Sequence, residues 1–290
     1  MTTAAFLLVL ASASAHATWN LLLKQSSHKT AFFWGFSAIS FAVFLVPAIV
    51  VTVLEGLTPA GVGFAAGSAL LHGGYGLSLS RSYEMGDLSA SYPLARGMAV
   101  ALIPIAAVAF LDETISLAAG AGIGLVVAGI YVIQVEARTL GDFTRPLRAL
   151  GTPGSRVALL TGGFIAAYSI WDKAALDHLE PLMLVEVNHI GYVLIIAPLA
   201  LRARATPFRQ EWDERRWAVV AAGVLAPLAY VLILTALTTN RVSYVGPARE
   251  IAIVLGAILG VLVLREGLGP SRVAGAVLIV AGALTLGLAP

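Results

Sequence analysis

Apolar residues fill this chain in long runs, interrupted at near-regular intervals by short polar clusters. Ten runs reach the roughly 20 mostly apolar residues that a helix needs to cross a bilayer. They cover about 3–23, 31–53, 60–80, 89–110, 117–135, 156–174, 182–201, 217–237, 243–263 and 271–288. The breaks carry charges or turn residues, as in KQSSHK, EGLTPAG, LDETIS, TTNR and REGLGP, with longer polar connections at 136–155 and 202–216. Stretches such as IAIVLGAILGVLVL lack the two-residue alternation of barrel strands and are apolar all round, with small residues that let helices approach closely. The pattern predicts an all-α polytopic membrane protein of ten transmembrane helices with no soluble domain. The first run has no Lys or Arg before Lys24, so it reads as a membrane helix and not as a cleaved signal peptide.

Composition removes other classes. The 290 residues are 59% hydrophobic and 12% charged, against about 25% charged in soluble domains. A net charge of +2 is too weak for a nucleic-acid footprint. Absent cysteine excludes disulfides, thiolate metal sites and cysteine nucleophiles. No H-E-x-x-H, G-x-S-x-G or G-x-x-x-x-G-K-[ST] motif occurs, which argues against zincins, elbow hydrolases and ATP-driven pumps. No cofactor, nucleic acid or obligatory oligomer is expected.

The basic residues set a direction. Of the 18 Lys and Arg, the odd-numbered connections hold 14, among them Lys24, Lys29, Arg81, Arg209, Arg215 and Arg216, while the termini and even connections hold Lys173 and Arg241. The positive-inside rule then makes the odd connections cytoplasmic and places both termini outside.

The two halves repeat one another. ATWN at 17–20 aligns with SIWD at 169–172, and Pro93, Glu113, Gly122 and Gly129 recur as Pro247, Glu266, Gly275 and Gly282. Five helices per copy, an odd number, force opposite orientations. Inverted repeats with a site near the midplane mark secondary transporters. The expected division is residues 1–135 as the first repeat, 136–155 as a cytoplasmic connection and 156–290 as the second.

The segments LDETISLAAGAGIGLVVAGIYVI and LREGLGPSRVAGAVLIVAGALTLGL, together with the Trp in the first helix of each half, resemble EamA domains of the drug/metabolite transporter superfamily. That resemblance implies a ten-helix fold with a central cavity lined by the first four helices of each half. Family members typically look N-terminus-inside, the reverse of what this charge bias argues. The opening AxLLVLASAxxHATWNLLLK pattern is also similar to membrane proteins associated with phosphonate utilisation.

Charged groups inside the membrane are costly and therefore candidates for function. Arg96 and Arg249 follow the matching prolines and could clamp an anionic group bidentately; the competing reading has Arg249 neutralised by Glu186 or Glu250. Glu186 and His189 share a helix face and, with Glu250, are candidate carriers of a coupling proton, Asn188 pointing off that face. His16, Trp19 and Asn20 in the first helix match Tyr168, Trp171 and Asp172 in the sixth and could offer stacking walls and hydrogen bonds. His72, Tyr75, Tyr92 and Tyr230 complete the expected lining. Glu113 and Glu266 read as helix caps, and Gly122, Gly129, Gly275 and Gly282 as close-packing positions.

These features predict a secondary transporter that moves a small anionic or zwitterionic solute (an amino acid, carboxylate or phosphonate-like metabolite) by alternating access, not an enzyme. The expected partners are the solute, the lipid bilayer and protons as the coupling ion. The expected location is the bacterial inner membrane. The alternative is a membrane-embedded enzyme acting on a lipid-linked substrate through Glu186, His189 and Arg249.

Overall fold

A computed structural model of the chain describes residues 1–85, 88–134, 152–202, 205–265, 267 and 269–290; within it, residues 80, 83–85, 88–93, 134, 199–202 and 205–206 are described by their backbone alone. The described residues form α1 (Thr3–Lys24), α2 (Lys29–Glu55), α3 (Pro59–Met85), α4 (Leu88–Leu111), α5 (Leu117–Gln134), α6 (Pro153–Ala175), α7 (Pro181–Arg202), α8 (Ala205–Thr239), α9 (Val242–Ala248), α10 (Ile251–Leu264) and α11 (Pro270–Leu288). Every predicted span coincides with helix, with one correction. The ninth is not a continuous helix, because it breaks at Arg249–Glu250 between α9 and α10. Among the described residues, seven segments are long and apolar enough to cross a membrane, and α5 adds the shorter apolar stretch Leu117–Ile133.

Helix starts are held by caps, some from far along the chain. Thr2 accepts a bond from Ala5 N at 3.2 Å and Thr152 one from Ser155 N at 3.3 Å, each filling an orphan donor of a first turn. At α2 the cap comes from buried Glu211, whose carboxylate accepts from Ser26 Oγ, Ser27 N and His28 N at 2.7–3.0 Å. Glu113 likewise accepts from Val242 N, Ser243 N and Ser243 Oγ at 2.5–2.9 Å. It therefore caps α9 of the other half, not the helix that follows it. Glu266 lies outside the described residues.

Packing follows the repeat. With α1–α5 matched to α6, α7, α8, α9/α10 and α11, the packing of α1 on α8 mirrors that of α6 on α3. In the same way α4 on α6 mirrors α10 on α1, and α3 on α7 mirrors α8 on α2. The self-matched pair α5–α11 shows the inversion directly. Gly122 faces Gly282 and Gly129 faces Gly275, so one helix runs up as its counterpart runs down. A Cβ built on Gly129 would sit 2.7 Å from the Gly275 carbonyl and one on Gly275 2.6 Å from that of Gly129, so only glycine permits this approach. Asp112 and Arg265, matched positions after α4 and α10, both adopt left-handed φ, 52° and 57°, an uncommon conformation for non-glycine residues that ends helices.

Both termini lie at one end of the bundle, where Met1 N donates to Ala289 O at 3.2 Å and Thr2 N to Asn240 Oδ1 at 3.0 Å. Lys24, Lys29 and Glu211 lie at the other end, next to a kink in α8 at Arg215 (φ −138°, ψ 25°).

Candidate functional site

Midway between those ends, α1, α2, α3, α4, α6, α7, α8 and the α9–α10 break surround a cavity of about 80 Å³. Apolar clusters flank it on both sides. Trp19, Leu23, Phe32, Phe33, Phe36 and Ile196 lie toward the lysines, and Val9, Leu237 and Val242 toward the termini.

The break places the first group. Around Arg249 and Glu250 the backbone tightens to three-residue spacing, with Ala252 N bonded to Arg249 O at 3.1 Å and Ile253 N to Glu250 O at 2.8 Å. This short tight turn interrupts the helix. It brings Arg249 to the cavity, where its Nη2 donates to the Tyr168 hydroxyl at 3.4 Å. Arg96, from the matched position of α4, lines the same cavity and lies 3.1 Å from Glu250 Oε2 through its Nε. Arg249 Nε stands farther off, 4.0 Å from Glu250 Oε1. Two guanidiniums from opposite halves thus converge on one carboxylate, all three largely out of water, with side chains 4%, 12% and 3% exposed for Arg96, Arg249 and Glu250.

A second polar cluster centres on Asp172, fully buried in α6. Its Oδ1 accepts from Ser68 Oγ; its Oδ2 accepts from Tyr230 Oη at 2.6 Å and lies 2.8 Å from His72 Nε2. His72 Nδ1 is 2.8 Å from the Tyr192 hydroxyl, and Ser68 Oγ is 2.7 Å from the Asn188 side-chain amide. Buried polar groups in a low dielectric must be satisfied in this way or cost several kcal/mol. The Tyr168 ring stacks on His72 at 4.1 Å and so joins this cluster to Arg249. Tyr75 and Tyr192 extend the aromatic wall, and His16 meets Trp19 edge-on at 5.0 Å.

Of the expected site residues, His16, Trp19, Tyr75, Arg96, Tyr168, His189, Tyr230 and Arg249 line the cavity, as does His72. Asp172 lies just behind it, holding Tyr230 and His72 in place. Asn20 is turned back on its own helix, donating to His16 O at 2.8 Å. Trp171 departs most from its counterpart: 38% exposed, it packs against Gly67 and donates to Phe64 O at 2.9 Å. The Tyr92 side chain lies outside the described residues. Glu186 and His189 form no pair. Among the described residues neither carboxylate oxygen of buried Glu186 has a hydrogen-bond partner, while His189 Nδ1 is 2.7 Å from the Val185 carbonyl of its own helix.

Ser12, Phe33, Phe36 and Tyr192 line the cavity without having been singled out from the sequence, and Asn188, set aside there as pointing off the Glu186–His189 face, lines it too. Tyr192 lies three residues after His189 and Ser12 four before His16, so helical spacing carried a signal for both. Nothing in the local pattern pointed to Phe33 or Phe36.

The model of the EamA-like transporter family matches residues 152–288. A solved crystal structure superposes with TM-score 0.73 over 98% of this chain and 96% of that one at 19% identity, which establishes a shared fold. No curated protein matches the chain. The similarity of the opening segment to phosphonate-utilisation proteins has no counterpart in these matches.

Proposed function

With residues 152–288 an EamA-like transporter domain of a multi-pass membrane protein, we propose that the whole chain is a secondary transporter for a small anionic or zwitterionic organic solute. The repeats at 1–135 and 156–290, joined by the connection at 136–155, would exchange access to the central cavity between the two faces of the bacterial inner membrane, with both termini outside. The observation that carries the substrate class is the convergence of Arg96 and Arg249 on the single carboxylate of Glu250. Arg249 faces the cavity with its Nε 4.0 Å from Glu250, and an anionic group on the solute would pair with its guanidinium. Arg249, the more loosely held of the two, is the proposed anion clamp, and Arg96 with Glu250 sets its position.

Other wall groups favour the same class. Among the described residues, Trp19 Nε1 and Asn188 Nδ2, both in residues that line the cavity, are buried donors without partners. They suit a solute rich in acceptors. The tyrosines offer faces for its organic part. A water-sized unit needs about 10–15 Å³ of such space, so about 80 Å³ admits roughly five to eight non-hydrogen atoms, the size of a small amino acid, carboxylate or phosphonate. We retain protons as the coupling ion, but not Glu186–His189 as their carrier, since no hydrogen bond joins the two.

The test is ligand-induced stabilisation of the purified protein. Binding to the folded state at about 100 times Kd adds about 2.7 kcal/mol. Glycine, alanine, acetate, methylphosphonate, glucose and choline form the panel. Stabilisation by anionic or zwitterionic members is expected, together with its loss in Arg249→Lys, which keeps the charge but not the planar fork. Stabilisation by choline or glucose alone would overturn the reading.

A further inference from the structure

We propose that His72 and Asp172 form a proton-binding dyad in the cavity wall, and that Tyr192 transmits its protonation state to the solute. This rests on the transporter reading for its purpose but not for its chemistry. His72 Nε2 lies 2.8 Å from Asp172 Oδ2, both side chains being at most 3% exposed. Asp172 has no lysine or arginine bonded to it among the described residues. Its partners there are the neutral donors Ser68 and Tyr230, and His72.

The hydrogen-bond inventory defines two states. In the first, neutral His72 donates its Nε2 proton to Asp172, and Nδ1 accepts from the Tyr192 hydroxyl. The dyad then carries one negative charge. In the second, one proton has been added at Nδ1, giving an imidazolium between Asp172 and Tyr192 and a net charge of zero. Nδ1 now donates, so Tyr192 must accept from it, and the Tyr192 proton is released from His72. Because Tyr192 lines the cavity, that O–H becomes a donor available to an anionic solute. Proton uptake and solute binding then favour one another, and by linkage each raises the affinity for the other by the same factor. The one covalent bond formed is Nδ1–H, its proton supplied by water at the cavity; otherwise only hydrogen bonds are rearranged.

Every element packed on His72 contributes a group to this balance. Tyr75 and Ser68 come from its own helix, Tyr168 and Asp172 from α6, Asn188, His189 and Tyr192 from α7, and Tyr230 from α8. Arg249 stands beyond Tyr168, with Arg96 and Glu250 behind it. The arginines favour the anionic dyad and Glu250 opposes them, so filling the anion clamp with a solute removes positive field and promotes protonation of His72.

The experiment is a pH titration of the nitrogen-15-histidine spectrum of the full-length protein in lipid nanodiscs, with no solute added. His72 is assigned by the signal lost in His72→Gln. With the titration run from about pH 8 down to about pH 5, that signal is expected to pass from a neutral ring protonated at Nε2 to a ring protonated at both nitrogens. In Asp172→Asn it should stay neutral throughout. As Asp172→Asn could fail to fold, proton uptake by unlabelled wild type and His72→Gln is measured over the same range, with one proton fewer expected in the variant. A His72 ring that never changes charge, that is protonated at Nδ1 when neutral, or that titrates identically in Asp172→Asn would overturn the dyad, as would equal proton uptake in His72→Gln. These readouts involve no transported solute, so failure of the dyad is separable from failure of the transporter reading.

Discussion

Replacing Glu250 by Gln tests the charge cluster at its centre. The change is nearly isosteric, so packing is kept and one negative charge is removed between two guanidiniums. At an effective dielectric of about 20, attractions across 3.1 Å and 4.0 Å are worth about 5 and 4 kcal/mol before desolvation. Measured losses on breaking one partner of a buried ion pair run at about 3–5 kcal/mol, because an uncompensated charge is left behind. Arg96 and Glu250 are at most 4% exposed, so solvent screening takes little from this figure. Glu250→Gln should lower thermal stability by about that amount. Adding Arg96→Gln should recover much of the loss, because it removes one of the two cations facing each other. The assay is thermal unfolding of wild type, both single variants and the double variant as a double-mutant cycle. An additional arm adds acetate, a small anion able to take the place of the missing carboxylate; it should stabilise Glu250→Gln more than wild type. If Glu250→Gln unfolds with the wild type, or the cycle shows no coupling, the cluster is not held by charge and the anion-clamp argument loses its basis.

Three further outcomes follow. Glu113→Ala removes the acceptor for two backbone N–H groups and one hydroxyl at the start of α9; it should cost about 1–2 kcal/mol, as lost helix caps do, measured by chemical unfolding, whereas an unchanged midpoint would contradict the cap. A C-terminal reporter active only in the cytoplasm should stay silent, and a bright signal would reverse the orientation drawn from the lysine and arginine distribution. Trp19→Phe should weaken solute binding, because a donor at the cavity is lost, while Trp171→Phe should leave it unchanged and lower stability through the lost bond to Phe64 O; equal effects on binding would show that the repeat is functionally symmetric.

The scaffold was legible in the sequence because membrane burial writes itself in long one-dimensional runs. Ten apolar stretches located the spans within a few residues, and the matched glycines read as close-packing positions, though only the structure shows that Gly122 meets Gly282 in an α5–α11 seam. The break at Arg249–Glu250 was not legible. Both flanks are strongly apolar, and a tight turn costs no change in hydrophobic pattern. That Glu186 and His189 make no hydrogen bond to each other was not legible for a related reason. Spacing of three places two residues on one helix face, but it does not say which bond each side chain prefers, and His189 takes the Val185 carbonyl of its own helix.

The centre of the site lies where the repeat stops being a repeat. Trp19 and Trp171 occupy matched positions, yet the first is 7% exposed at the cavity and the second 38% exposed against α3. Asn20 bonds its own helix, whereas its counterpart Asp172 gathers Ser68, His72 and Tyr230. Inverted copies related by a two-fold axis would otherwise present each polar group twice, once from each side. A second buried carboxylate opposite Asp172 would carry its own desolvation cost and repel the first. Keeping the symmetry in the glycine seam and in the left-handed residues Asp112 and Arg265, while abandoning it around Asp172, satisfies both demands. On the proposed function, the shared scaffold would present two equivalent arrangements to the two faces of the membrane, and a single asymmetric cluster would hold one solute and one proton.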